Sequence, residues 1–430
     1  MGLAPSRIEP TPRKTVVARC LSQFFNSLLT VVRFEGRKSA MAHDPLAWIA
    51  DEMQTLERQG LRRRLTRRSG PQGATVESDR RQLVNFASND YLALAADRRL
   101  IAAAHAAAAE EGWGAGASPL VSGYSASHVR LEEWLAELLG TEAAIVMPSG
   151  FAANVGTICA LVGRGDAVFG DSKNHASLID GCRLSRAEVF VYPHGDCQAL
   201  EAMLAGADKL GRKLIVTDSL FSMDGDIAPL ANLAALASHF DAMLLVDEAH
   251  ATGVFGHRGS GLVEQFGLAE NVHIRVGTLS KALGSSGGFV AGRAPLIDWL
   301  ANRARPYIFS TAHPAAASAA ATAALDIVAT EPWRREQLLA KSSELRSWLQ
   351  AEGWNIGNSA SQIIPLIVGR PDRAMRLAEL LREGGFWAPG IRPPSVPAGE
   401  SLVRLSVSAG HTTEQLAGLT RLLGTIKRSW

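Results

Sequence analysis

From Leu83 onward the chain alternates short, near-continuous apolar runs with longer amphipathic stretches, and this alternation constrains the fold more than any other feature. The apolar runs fall at 143–147, 167–169, 189–192, 214–217, 242–246, 273–276 and 288–291. Most lack an in-out alternation, which marks strands covered on both faces by helices. The stretches between them, at 151–161, 177–185, 197–204 and 230–239, read as those helices. The spacing therefore predicts an α/β fold with a mostly parallel sheet wrapped by helices. An Ala-rich stretch at 314–329 reads as a buried helix rather than a membrane span, because Ala is weakly apolar and Asp326 interrupts it. Beyond it the order becomes helix 331–353, strand 363–368, helix 373–384, strand 402–407 and helix 413–426, a smaller α+β unit. The expected division is an extension at 1–40, an N-terminal segment at 41–88, a large domain at 89–330 and a small C-terminal domain at 331–430.

Charge separates the extension from the rest. Residues 1–40 carry seven basic side chains against two acids, a net +5 inside a whole-chain total of +2, so residues 41–430 are mildly acidic at −3. That balance gives the body no field for tracking nucleic acid or an anionic membrane. Two readings of the extension stay open: an Arg-rich organelle transit peptide, or a start placed too early with Met41 as the initiator. The four cysteines (Cys20, Cys159, Cys182, Cys197) form neither a CxxC pair nor a Cys/His metal spacing. Such sparse thiols point to a reducing compartment, the cytoplasm.

Three segments can carry chemistry. In 144–158 a strand meets a Ser-Gly turn and a helix, so Ser149 and Gly150 stand where unpaired N–H groups make an anion site; an ordinary helix cap is the competing reading. In 243–256 a buried strand delivers Asp247, Glu248 and His250 at its C-terminal end, where open α/β sheets bind ligands. The LLVDEAH run also resembles the second nucleotide motif of a helicase. That reading needs an earlier G-x-x-x-x-G-K-[ST] loop, and the chain has none. In 275–292 Lys281 stands in an uncharged Thr/Ser/Gly turn, although only 8 of the 44 basic residues are lysine. A lysine there either points to water or has a lowered pKa suited to a Schiff-base amine. An amine, a carboxylate and a phosphate cradle on neighbouring strand ends together match the needs of pyridoxal phosphate (PLP).

The same segments resemble the α-oxoamine synthases of PLP fold type I. The likeness spans about residues 44–423 and rests on eight ordered blocks: FASNDYLAL (86–94), VSGYSASH (121–128), SGFAAN (149–154), HASLIDG (175–181), SLFSMDGDIAPL (219–230), VDEAHATGVFG (246–256), TLSKALGSSGG (278–288) and IRPPSVPAG (391–399). The resemblance implies that Lys281 bonds the cofactor and shuttles the substrate α-proton. It implies Asp247 at the pyridinium nitrogen, His175 stacked on the ring, and His250 and Ser222 at the phenolic oxygen. It assigns the phosphate to Ser149, Gly150, Phe151 and Thr278, with Thr311 contributed across a homodimer. It assigns the amino-acid carboxylate to Arg404 assisted by Asn89, and the acyl substrate to Arg62 and Ser395. For Arg62, set in LRRRLTRR, a solvated basic face competes. Catalysis would fall to Lys281, His175, Asp247 and His250, with no metal.

Within the family, the likeness is to members that condense L-alanine with pimeloyl-CoA or a pimeloyl carrier protein. Gly123-Tyr124 stands where glycine users usually have Gly-Thr. The alternatives are another member of the family, such as a glycine C-acetyltransferase, and a non-catalytic protein on the same scaffold. Two departures bear on the acyl-chain assignment: Ala93 replaces a usual glycine, and Pro119-Leu120 follows GAGAS.

Overall fold

The computed structural model of the chain describes residues 44–430; the extension at 1–40, with Cys20, lies outside the described residues. A first compact unit ends at Arg62. Its described part is built on the helix Trp48–Arg58, which buries none of its side chains.

The second unit, Arg63–Trp430, holds all the strands among the described residues. β1 (Arg68–Ser69), β2 (Thr75–Ser78) and β3 (Arg81–Asn85) come first. Then follow β4 (Ala143–Met147), β5 (Ala167–Asp171), β6 (Glu188–Tyr192) and β7 (Lys213–Asp218). β8 (Met243–Asp247), β9 (Ile274–Thr278) and β10 (Gly288–Gly292) complete the set foreseen from the apolar runs. β11 (Ile363–Gly369), β12 (Phe386–Trp387), β13 (Gly390–Ile391) and β14 (Ser401–Ser406) lie in the C-terminal third.

β4 to β10 form one sheet in the order β4-β10-β9-β8-β7-β5-β6. Strands β5 to β9 pair in parallel, while β10 runs antiparallel to both β9 and β4. Only residues 279–287 separate β9 from β10, too few for the crossover of a dozen or more residues that a parallel return requires. Alternate side chains feed two cores. Val146, Phe169, Ile215, Leu244 and Val246 face one layer of helices. Ile145, Val168, Val216, Leu245 and Val276 face another layer that includes Gly150–Leu161 and Ala176–Ser185. Burial on both faces is why these runs are continuously apolar.

At the carboxyl edge the parallel strands end in polar residues: Asp171 on β5, Asp218 on β7, Asp247 on β8 and Thr278 on β9. By strand alternation Asp218 and Asp247 point to the side of Val216 and Leu245, under the helix Gly150–Leu161. A three-stranded antiparallel sheet, β11-β14-β13, carries Arg404 opposite Pro365. β12 pairs in parallel with β3, so residues 68–85 share a sheet with residues 386–387. The Ala-rich stretch is a helix, Ala315–Thr330, with nine of its side chains buried. Among the described residues no helix is long and apolar enough to cross a membrane.

Candidate active site

Lys281 lies in the β9–β10 turn, just past Thr278. Its Nζ is 2.8 Å from His250 Nε2, and the other ring nitrogen of His250 is 2.7 Å from Tyr91 Oη. Loss of solvent lowers the lysine to about 8, with Arg404 adding to the effect and Asp247 and Asp218 opposing it. Burial also pulls His250 well below its ordinary value, so its ring is neutral at physiological pH. Arg404 comes in from β14. Its Nη1 donates to Asn89 Oδ1 at 3.1 Å and to Ser406 Oγ at 2.7 Å, and Nη2 donates to Tyr91 Oη at 3.3 Å. Arg404 Nε donates to the Ser222 carbonyl at 2.6 Å. These bonds hold the buried guanidinium in one orientation.

Asp247 is 5% exposed; Oδ1 accepts the Ala249 N–H at 2.8 Å and Oδ2 accepts from Asn154 Nδ2 at 2.6 Å. Its neighbour Asp218 accepts the His175 N–H at 2.7 Å, and burial beside the Asp247 charge raises it well above the carboxylate range. His175 caps the helix Ala176–Ser185, and its exposed ring meets Phe151 edge-on at 6.4 Å. Its pKa is lowered, first by desolvation and then by the Lys281 charge, against the pull of Asp247.

Ser149 caps the helix Gly150–Leu161, its Oγ accepting the Ala152 N–H at 3.1 Å. The start of this helix lies against β10: a Cβ on Gly288 would stand 2.4 Å from the Gly150 nitrogen, so only glycine fits there. A Cβ on Gly150 would meet the Thr278 Cβ at 3.4 Å. The open N–H groups of this helix end and the Thr278 side chain therefore share one place. The Thr278 hydroxyl donates to the Gly287 carbonyl at 2.9 Å.

Lys281, His250, Asp247, His175, Asn89, Ser222 and Arg404 thus come together, with Ser149, Gly150, Phe151 and Thr278 beside them. Ser222 enters through its carbonyl. Thr311 is exposed in a separate recess lined also by Tyr124, Glu132 and His313. Ser395 is exposed and accepts from Arg63 Nη2 at 3.3 Å. Arg62 lies in the first unit, where its Nη1 pairs with Glu57 at 3.1 Å. Glu248 turns away from Asp247 into the core and pairs with Arg275 at 2.9 Å.

Sequence reasoning missed Tyr91, Asn154 and Asp218. Asn154 had one signal, as a polar side chain within the apolar run of a helix that faces the sheet. The other two had none beyond their strand-end and loop positions.

A PLP site needs an amine free to lose its proton, a buried carboxylate and an anion cradle. Lys281, Asp247 and the glycine-lined start of the helix Gly150–Leu161 supply all three, so these residues fit the group.

The family model for aminotransferase class I and II matches residues 81–423. The 8-amino-7-oxononanoate synthase of Anaeromyxobacter dehalogenans is 48% identical over 386 residues, covering 90% of this chain and 97% of the relative. The chain belongs to the class I and II aminotransferases, in their α-oxoamine synthase branch. Among solved structures, serine palmitoyltransferase from S. paucimobilis with a bound PLP–myriocin aldimine superposes with a TM-score of 0.85 at 31% identity, over 89% of this chain and 98% of that one. The 8-amino-7-oxononanoate synthase from Francisella tularensis superposes with a TM-score of 0.71 at 26% identity, over 81% and 98%. The fold-type I architecture expected from the sequence is the architecture of the family.

Proposed function

We propose that the chain uses PLP to condense L-alanine with pimeloyl-CoA, or the same acyl group on a carrier protein, releasing carbon dioxide and forming 8-amino-7-oxononanoate for biotin. The observation that carries this reading is the amine of Lys281, 2.8 Å from a neutral His250 and poised near pH 8 between Arg404 and Asp247. When bound, PLP supplies an electron sink for the charge left on the alanine α-carbon. The side chains do the rest. Lys281 gives the amine that anchors the cofactor and, once displaced by alanine, a base for the α-proton. Asp247 would keep the pyridine nitrogen protonated, with His250 and Ser222 serving the phenolic oxygen. The N–H groups at Ser149, Gly150 and Phe151, with Thr278, would take the phosphate. Arg404, braced by Asn89, would hold the alanine carboxylate, while His175 would cover the ring. Arg62 and Ser395 are assigned to the acyl end.

The homodimer belongs to the same proposal. Trp113, Val121, Phe151 and Phe309 are exposed at 78%, 79%, 47% and 69%, a cost that a second copy would remove. Thr311 would then reach the neighbouring site. We place the activity in the cytoplasm, where the free thiols Cys159, Cys182 and Cys197 stay reduced.

The 8-amino-7-oxononanoate synthase of Anaeromyxobacter dehalogenans, at 48% identity over 90% of the chain, supports alanine against the 31% of serine palmitoyltransferase, although the Francisella tularensis synthase is itself only 26% identical. The test compares release of free CoA from alanine plus pimeloyl-CoA with release from glycine plus acetyl-CoA. Faster turnover of the glycine pair rejects the substrate assignment. Activity surviving in Lys281→Ala rejects the mechanism.

A further inference from the structure

Two uncharged side chains join the carboxylate of Asp247 to the ring of His175. Asn154 Nδ2 donates to Asp247 Oδ2 at 2.6 Å and to Ser177 Oγ at 2.9 Å. The amide orientation follows from the partners, since an oxygen in that place would face a carboxylate. Ser177 Oγ stands 2.7 Å from His175 Nδ1, and the bond from Asn154 takes up only a lone pair, which leaves the hydroxyl proton available to that nitrogen. The Ser177 backbone N–H points at the same nitrogen from 3.3 Å. With two donors aimed at it, Nδ1 holds a lone pair and the ring proton sits on Nε2. Asn154 and Ser177 are 1% and 0% exposed, so water does not compete for the bonds of Asn154 to Asp247 and Ser177. They come from different helices, Gly150–Leu161 and Ala176–Ser185, and the chain of bonds fixes one helix end against the other.

We propose that Asn154 is a positioning residue: its amide orients the Asp247 carboxylate and, through Ser177, presents His175 to the site as the Nε2–H tautomer. The roles of Asp247 and His175 rest on the proposed function; the chain of bonds does not. In this arrangement His175 donates through Nε2 and does not serve as a base. A second proton on Nδ1 would require the Ser177 hydroxyl to turn away and the Asn154 amide to lose its acceptor. The charged groups around His175 are Asp247 and Lys281, with Asp218 bonded to its main-chain N–H.

The test uses full-length protein labelled with ¹⁵N-histidine, with and without PLP, and reads the tautomer and titration of His175 from its nitrogen shifts. Wild type should show an unprotonated Nδ1 and a ring that titrates below an ordinary histidine. Asn154→Ala and Ser177→Ala should each mix the tautomers and move the titration upward. Asn154→Ala should also weaken PLP binding about tenfold, and Ser177→Ala much less, because Asp247 keeps its Asn154 bond there. The double variant should match Asn154→Ala in the His175 signal, the non-additivity expected of one connected path. An unchanged His175 tautomer in both single variants overturns the proposal. Should Asn154→Ala fail to fold, Ser177→Ala carries the tautomer test alone. Wild-type protein that binds no PLP would reject the proposed function, and the tautomer in the PLP-free samples would still decide this one.

Discussion

Lys281 Nζ and His250 Nε2 stand 2.8 Å apart, and the proton between them is tied to a third group, because His250 Nδ1 is 2.7 Å from Tyr91 Oη. If Lys281 is an ammonium, it donates to Nε2 and the Nδ1–H donates to Tyr91. If Lys281 is a neutral amine, Nε2–H donates to it and the Tyr91 hydroxyl donates to Nδ1. The lysine proton and the histidine tautomer therefore change together. With Lys281 held at about 8 instead of the ordinary 10.5, the rate at which the PLP-free chain captures PLP should rise with pH and level off through about pH 8. Stopped-flow absorbance from about pH 6.5 to about pH 11.5 reads this directly. An inflection near 10.5 would show that the lysine is an ordinary one.

Tyr91 is the hinge of that network, and it also touches Asn89 and Arg404. Tyr91→Phe leaves a buried imidazole nitrogen without its partner, which costs about 1–3 kcal/mol. Urea unfolding should detect the loss. Alanine KM should rise as well, because Arg404 loses one of the bonds that aim it. An unchanged KM with full stability would remove Tyr91 from the site.

Glu248 and Arg275 have a structural role beside the one proposed for Asp247. Both are almost wholly buried, and Glu248 Oε1 also accepts the N–H groups of Leu262 and Val263 at 2.9 and 3.1 Å. Glu248→Ala should destabilise by about 3–5 kcal/mol, because it leaves the Arg275 charge uncompensated. Adding Arg275→Met should recover part of that loss in denaturant melts. Full recovery would mean that the two backbone donors do not need the carboxylate.

Ala93 stands where the resemblance to the α-oxoamine synthases leads one to expect glycine, and its φ is +56°. A Cβ in the left-handed region costs roughly 1–2 kcal/mol, while glycine gives back about 0.4–1 kcal/mol through the unfolded chain. Ala93→Gly should therefore stabilise by about 0.5–1 kcal/mol, measured as an increase in the urea midpoint at constant slope. A lower midpoint would show that the methyl contributes packing that outweighs the strain.

The strands and their edge were legible because burial on both faces writes itself as continuous apolar runs, as in β7 and β8. The reversed direction of β10 was readable only from the shortness of 279–287, since an apolar run carries no direction. Lys281, Asp247 and His250 stood out as rare or charged residues at strand ends. Tyr91, Asn154 and Asp218 did not, because their importance comes from contacts between segments far apart in sequence: Tyr91 to His250, Asn154 to Asp247, Asp218 to His175. Glu248 misled in the other direction, since its place beside Asp247 says nothing of which way a side chain turns once the strand has ended.

His194 joins two acids across the carboxyl edge, with Nδ1 at 2.9 Å from Asp171 and Nε2 at 2.8 Å from Asp226. Both nitrogens must donate, so the ring is an imidazolium. The bonds to Asp171 and then Asp226 push it from 6.5 up to about 10. A raised pKa means that the folded chain holds a proton the unfolded chain has lost. The stabilisation is thus complete below about pH 6.5, declines above it and is gone past about pH 10. His194→Asn should cost about 2 kcal/mol at pH 6, the scale of hydrogen bonds to a charged group. The gap from wild type should close towards zero at pH 10. Because Asp226 belongs to the loop whose Ser222 carbonyl holds Arg404, alanine KM in wild type should climb over the same pH range. Paired unfolding curves at pH 6, 8 and 10 measure the gap, and a pH-independent gap would show that the ring is not charged.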